Sequence, residues 1–379
     1  MKKTLIAILG LCAIALNAAD TASSKDLSEK MHALAVETAG RHEAREVMIA
    51  VMDSETGDVI SLIDHTDPAS GIDRKRAGFS PLQYTFEPGS VMKTIVYALL
   101  IDKGRVHPYD VMNAHQGTYE ISGKMITDKH KFDYISAENA IVHSSNVVMA
   151  QMAQMAQRLG GDEFHNGLKA FGFTQPSSIS IKKEHTGVIP SSTQLSTETY
   201  KAVVSYGYGL RVNLMQLMRA YSAFNNDGKM IRPKIPLRAY DNYTIERSDV
   251  LFEKSVPVIN RSAAELVKAA LIKCVETGTG NLAMTPGLEI GGKTGTACIA
   301  ENGRFVEKYH SSFVGFANDP EHRYMIGVLI VEPKIDYYAS ISAVPLFKKV
   351  VDAMVDEKLL PSQATLDGFT RDRRVELQQ

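Results

Sequence analysis

The stretch Thr85-Phe-Glu-Pro-Gly-Ser-Val-Met-Lys-Thr-Ile-Val-Tyr-Ala-Leu-Leu-Ile-Asp-Lys-Gly104 organises the reading of this chain. Pro88 and Gly89 break the segment before it. Ser90 opens an apolar run, and Gly104 closes that run as a helix C′ residue would. Positions i and i+3 share a helix face, which places Lys93 one turn from the Ser90 hydroxyl. A serine hydroxyl alone is a weak nucleophile, but an amine at that range can take its proton once burial lowers the amine pKa. The helix N-terminus adds free backbone N–H groups and a positive dipole end where an oxyanion would form. The same residues also fit a plain helix cap. Ser-x-x-Lys arises by chance about once or twice in a chain this long, and a second copy, Ser180-Ile-Lys-Lys183, precedes a polar segment and Pro190 rather than an apolar helix.

Two downstream signals bear on that choice. Ala137 to Val142 and Val147 to Leu159 read as helical pieces, interrupted by His143-Ser144-Ser145-Asn146. Ser and Asn compete with helical hydrogen bonding, so the interruption reads as a short loop with projecting side chains. Further on, Gly291-Gly-Lys-Thr-Gly-Thr-Ala297 falls on an expected strand, where Gly295 lets a ligand or another backbone come close. Lys293 with the hydroxyls of Thr294 and Thr296 can bind a carboxylate, and the Thr296 N–H can complete an oxyanion hole.

Ser-x-x-Lys, Ser-x-Asn and Lys-Thr-Gly in that order are the signature of penicillin-binding proteins and serine β-lactamases. Ser180 to Lys183 fails this order because it follows Ser144-Ser-Asn146. Phe86-Glu-Pro-Gly-Ser-Val-Met-Lys93, His143-Ser-Ser-Asn-Val147, Gly207-Tyr-Gly-Leu-Arg-Val-Asn213, Gly278-Thr-Gly280, Ser311-Ser-Phe-Val-Gly-Phe-Ala317 and the segment Tyr337 to Phe347 resemble the class B penicillin-binding protein transpeptidase domain. The likeness runs from about Val47 to Glu357. It implies Ser90 as the acylated nucleophile and Lys93 as its base. Ser144 would relay a proton to the leaving amine, and Asn146 would hold Lys93 and the substrate amide. Lys293, Thr294, Gly295 and Thr296 would form the substrate-binding strand for the terminal carboxylate of a D-Ala-D-Ala peptidoglycan stem peptide or a β-lactam. The oxyanion hole would be the N–H groups of Ser90 and Thr296. The implied activity is a serine DD-transpeptidase, or a DD-carboxypeptidase where water is the acceptor, without cofactor or metal, and with cell-wall synthesis proteins as candidate partners. A class D-like serine β-lactamase and a non-catalytic β-lactam sensor or scaffold are the rival readings. The chain shows neither a class A deacylation Glu motif nor the Tyr-Gly-Asn element of class D enzymes, and Tyr206-Gly-Tyr-Gly209 instead resembles the class B pattern.

The remaining pattern is that of an α+β domain. Asp26 to Ala39 carries Leu27, Met31 and Leu34 at helical spacing and is expected to end at Gly40. Val47 to Asp53 and Val59 to Ile63 read as a hairpin around Ser54-Glu-Thr-Gly-Asp58, and Asp64 to Gln83 as a loop. Asn213 to Phe224, Ser262 to Val275 and Leu346 to Val355 read as helices; Leu288 to Cys298, Ser312 to Ala317 and Arg323 to Val331 read as strands. Together with the resemblance this implies a mainly antiparallel five-stranded sheet with helices on both faces and a helical subdomain. The expected division is a signal peptide at 1–19, a short helical segment at 20–46, the transpeptidase domain at 47–357 and a polar tail at 358–379.

Lys2 and Lys3, an apolar run from Leu5 to Leu16, and Ala18-Ala19 read as a secretory signal, too short for the ~20 residues of a membrane span. The expected location is the periplasm, with inner-membrane anchoring if the segment is uncleaved. Class B members usually carry an anchor and a long pedestal; here only about thirty residues lie between the signal and the first strand, too few for an independent domain, so a soluble acyltransferase is expected. Cys274 and Cys298 would remain after cleavage, as one disulfide or two free thiols. Forty-two basic against 43 acidic residues leave a net charge of −1, which argues against nucleic acid as a partner. The 11 His residues form no His-Glu-x-x-His or comparable metal pattern, and His143 reads as structural.

Overall fold

The computed structural model describes residues 26–70, 80–155, 160–177, 179, 184–234, 254–301 and 303–361. The signal-like segment, the second Ser-x-x-Lys at 180–183 and most of the polar tail lie outside them. Helix α1 (residues 26–42) buries Leu27, Met31, Ala35 and Ala39 along one stripe. It continues through Gly40 because the left-handed stop falls later, at Glu43 (φ 45°). There the Glu43 and Ala44 N–H groups bond back to Gly40 O and Ala39 O. This helix packs on the sheet, so it belongs to the core of the domain.

Strands β1 (Glu46–Asp53) and β2 (Val59–Thr66) form the expected hairpin, with Asp53 Oδ1 accepting the Glu55 and Thr56 N–H groups in its turn. A second, small hairpin follows: β3 (Thr118–Ile121) and β4 (Lys124–Thr127). Three long strands come last: β5 (Glu289–Glu301), β6 (Arg304–Asn318) and β7 (Arg323–Val331). The main sheet has the order β2-β1-β7-β6-β5, antiparallel at every pairing. Its central strand is therefore β7, the last of the described strands, which pairs on one side with β1, the first.

Helices between and after the strands cover both faces: α2 (Met92–Asp102), α3 (Ala137–Val142), α4 (Asn146–Met155), α5 (Gly161–Ala170), α6 (Glu198–Ser205), α7 (Leu214–Asn225), α8 (Arg261–Glu276) and α9 (Ala343–Asp356). Alternation along β1 divides two cores. Met48, Ala50 and Met52 pack with α2, α7 and α8, while Val47, Ile49 and Val51 pack with α1 and α9. A one-residue slip would exchange these two sets, so β1 register is strongly specified. At Gly327 β7 and α7 approach closely, since a Cβ there would sit 2.9 Å from Met218.

Several boundaries move from their expected places for physical reasons. β5 and β6 extend well past Cys298 and ahead of Ser312, because their outer halves pair through backbone while carrying polar side chains such as Glu301, Arg304 and Lys308. α9 starts three residues early, since Pro345 in a first turn sacrifices no hydrogen bond. Leu360 is buried against the α1/α9 core, so the tail begins later than 358.

Candidate active site

Ser90 lies in a single 3-10 turn, Gly89–Val91, that runs into α2, so the α-helix proper opens two residues after the serine. Three glycines wedge this turn into place. Gly89 takes φ 57° and its N–H bonds Gly207 O at 3.0 Å. A Cβ on Gly207 would fall 1.9 Å from Gly89 O, and one on Gly295 would fall 2.8 Å from Pro88 O and 2.5 Å from Ser312 Oγ. The backbone that approaches Gly295 is thus the segment that leads into the Ser90 turn. Tyr221 Oη donates to Val91 O at 2.5 Å from the α7 side. Gly104 (φ 61°) ends α2, with the Gly104 and Arg105 N–H groups on Ile101 O and Leu100 O.

Lys93 is fully buried beneath this turn. Its Nζ donates to Ser144 O at 2.5 Å and to Ser144 Oγ at 3.1 Å. Burial, reinforced by repulsion from Lys293, drives its pKa well below the usual 10.5, against an opposing pull from Asp128. Ser144 occupies the left-handed C′ position of α3 (φ 60°), the place where glycine is usual: its N–H bonds Ile141 O, and the Ser145 N–H bonds Ala140 O. A non-glycine residue there costs about 1–2 kcal/mol. What that conformation secures is the aim of both Ser144 oxygens at Lys93.

Asp128, just beyond β4, holds the same loop from outside. It accepts from Ser145 Oγ at 2.5 Å, from the Asn146 N–H, and from the Val147 N–H at 3.2 Å, at the N-terminus of α4. Asn146 Nδ2 donates to Thr127 O at 2.9 Å. The hydrogen bonds of Lys93 go to Ser144 rather than to Asn146, so the carboxamide ties the motif to the β3–β4 hairpin in this structure.

Lys293 is also fully buried, on β5, with Nζ donating to Thr294 Oγ1 at 3.2 Å and Thr294 O at 3.4 Å. Burial lowers its pKa to about 8, against a rise from the neighbouring Cys274 thiol. Thr294 Oγ1 is 2.7 Å from Thr279 Oγ1, on the segment after α8, and Thr296 Oγ1 accepts the Ala339 N–H at 3.0 Å. Gly278 allows that segment to abut α3, since a Cβ would meet Val142 O at 2.6 Å. All three motifs open on one cleft of about 650 Å³, lined by Ser90, Ser144, Asn146, Thr294 and Thr296, with Tyr208 and Tyr338 among its walls.

A family model for the penicillin binding protein transpeptidase domain matches residues 47–352. The chain belongs to that family. It is 28% identical over 323 residues to the probable peptidoglycan D,D-transpeptidase PenA of Neisseria flavescens, covering 83% of this chain and 76% of that protein. It is 29% identical over 337 residues to penicillin-binding protein PbpB of Mycobacterium tuberculosis, covering 84% of this chain but only 49% of that longer protein. Among solved structures, the transpeptidase domain of Burkholderia pseudomallei penicillin-binding protein 3 superposes with a TM-score of 0.77 at 26% identity, covering 89% of this chain and 96% of that one.

Within this transpeptidase domain some contributors escape sequence reasoning. Asp128 was one, although Ser122-Gly123 between Tyr119-Glu-Ile121 and Lys124-Met-Ile126 carries a hairpin signal that leads to it. The disulfide alternative is resolved in favour of thiols: both cysteines are free. Cys274 is buried under Lys293, its pKa pushed up to about 11 mainly by burial, while Cys298 Sγ donates to Val306 O at 2.9 Å beside the cleft. His143 lines the cleft with its ring 5.2 Å from Phe132, and burial lowers its pKa.

Proposed function

We propose that the protein is a serine D,D-transpeptidase that acts on peptidoglycan stem peptides ending in D-Ala-D-Ala, through an acyl-enzyme at Ser90, and that β-lactams acylate the same serine. The observation carrying this reading is the state of Lys93: a buried amine with a depressed pKa, one helical turn from Ser90, and two hydrogen bonds to Ser144. A neutral amine has two N–H donors and one lone pair. Ser144 takes both donors, which leaves the lone pair for the Ser90 proton. Ser90 Oγ then attacks the penultimate D-alanine carbonyl, and the N–H groups of Ser90 and Thr296 receive the oxyanion. Ser144 Oγ, accepting from Lys93, keeps its own proton to donate to the leaving nitrogen, and D-alanine departs. An acceptor amine attacks the ester by the reverse proton path. Protonated Lys293, with the hydroxyls of Thr294 and Thr296, receives the terminal carboxylate.

The test is to incubate the protein with a penicillin and follow intact mass, with Ser90→Ala as control. A long-lived adduct that needs Ser90 supports the proposal. Rapid loss of the adduct would make it a β-lactamase, and no adduct would leave a non-catalytic scaffold. Stem peptide with and without an acceptor amine then separates cross-linking from trimming by water. The Lys2 to Ala19 pattern supports a periplasmic location; a mature N-terminus found near residue 19 in a periplasmic fraction is the expected result, and full-length protein in the cytoplasm would refute it.

A further inference from the structure

Among the described residues lining the catalytic cleft there is no Asp or Glu, yet Lys129 is one of them, in addition to Lys293 buried behind the lining. Lys129 is exposed on the segment that follows β4 and lines the cleft together with Ser90. Its ammonium lies 4.0 Å from the centroid of the Tyr338 ring. That ring belongs to a tyrosine wall: Tyr337 is 4.5 Å from Tyr338 and stacks on Tyr309 at 3.8 Å. Lys129 thus spans from the hairpin side of the cleft to the wall that precedes α9.

The adjacent carboxylate does not neutralise this ammonium. Asp128 is committed to Ser145 Oγ and to the N–H groups of Asn146 and Val147. The same bonds anchor the backbone at 128 to the loop that carries Ser144, so Lys129 starts from a fixed point beside the reacting groups. An exposed cation over a tyrosine face is held weakly. A carboxylate offers the same ammonium a charge-assisted hydrogen bond, and so can displace the ring as its partner.

We propose that Lys129 is a specificity-determining residue that binds a second carboxylate of the acyl donor, upstream of the terminal carboxylate assigned to Lys293. This rests on the acyl-transfer reading above. The preferred donor class is then a dianionic stem peptide, for example one whose upstream glutamyl residue keeps a free carboxylate rather than a carboxamide. Displaced by that carboxylate, the ammonium leaves Tyr338 open to pack on the rest of the peptide.

The experiment uses two penicillins that differ only in their side chain, one ending in a carboxylate and the other in the matching carboxamide. Second-order acylation rates are read by intact mass on the full chain, and repeated with the corresponding pair of stem peptides. The wild type is expected to favour the carboxylate by about three- to tenfold at low salt, with the preference shrinking as ionic strength rises. In Lys129→Gln the ratio of the two rates falls to about one, in Lys129→Glu it inverts, and in Lys129→Arg it is retained. Equal rates for both compounds in the wild type, or a preference that survives Lys129→Gln, overturn the proposal. Failure of both compounds to label Ser90 is a different result, and removes the acyl-transfer reading instead.

Discussion

Lys93 and Lys293 are the same residue type, both wholly buried, and they line up beneath one cleft, yet their surroundings prepare them for opposite tasks. Lys93 faces a helix turn and a strained loop, and its pKa is driven well below 10.5 by burial and by the second lysine. Lys293 sits on a strand, and burial lowers its pKa to about 8. In the proposed mechanism the first accepts a proton and the second remains a cation. Burial is the main cause at both, and at Lys93 repulsion from the second lysine adds to it.

That contrast can be broken most directly at Lys93. Lys93→Met should lower the second-order acylation rate by about 10³ or more, the scale of a lost general base, with the protein still folded by circular dichroism. Lys293→Met should cost less, about 10- to 100-fold, the scale of a lost charge-assisted bond. A β-lactam whose carboxylate is esterified should show little difference between that variant and the wild type. Equal losses in the two variants, or a loss with the ester as large as with the free acid, would erase the distinction between base and carboxylate receiver.

The pH profile sharpens it further. The second-order rate reports the free enzyme, so it should fall as pH rises through about 8, where Lys293 loses its charge, and fall on the acid side as Lys93 gains a proton. In Lys293→Met the alkaline limb should disappear. The same group bears on stability. Its folded pKa lies below its unfolded one, so the unfolded chain binds more protons between about 8 and 10.5. The penalty is therefore complete below about 8 and fades as pH climbs towards 10.5. At pH 7 Lys293→Met should stabilise the fold by about 1–2 kcal/mol, less than the full ~3 kcal/mol of the shift because two hydrogen bonds are also lost. A lower melting temperature for the variant would contradict this.

The smallest effect is expected at Ser144. Ser144→Gly relieves the left-handed backbone and should raise stability by about 1 kcal/mol in urea unfolding, while acylation slows because the proton relay is gone. An unchanged acylation rate would mean that the backbone carbonyl of residue 144 suffices to hold Lys93.

Local chemistry is what made so much of this site legible. A serine and an amine one helix turn apart can act as nucleophile and base, so Ser90 and Lys93 are visible as a candidate pair from their spacing. A carboxylate receiver needs a cation, hydroxyls and a glycine along one strand, so Lys293 to Thr296 is visible as a composition. Asp128 lacks such a mark: its value depends on a small hairpin folding back onto the start of α4, a contact across 17 to 19 positions with no periodic signature. Gly207 is similar, since its need to be glycine comes from a positive φ of 90° and from Gly89 O packed against it.

Residue types and their order determined the family, the five strands and the candidates for the reacting groups, because hydrophobic period and reactive side chains are written locally along the chain. Tertiary structure alone decided that β1 pairs with β7, that Ser144 is forced left-handed to face Lys93, and that two identical lysines are buried among different neighbours. Those outcomes depend on which distant charges and backbones become neighbours, and distance through space is set only when the sheet closes.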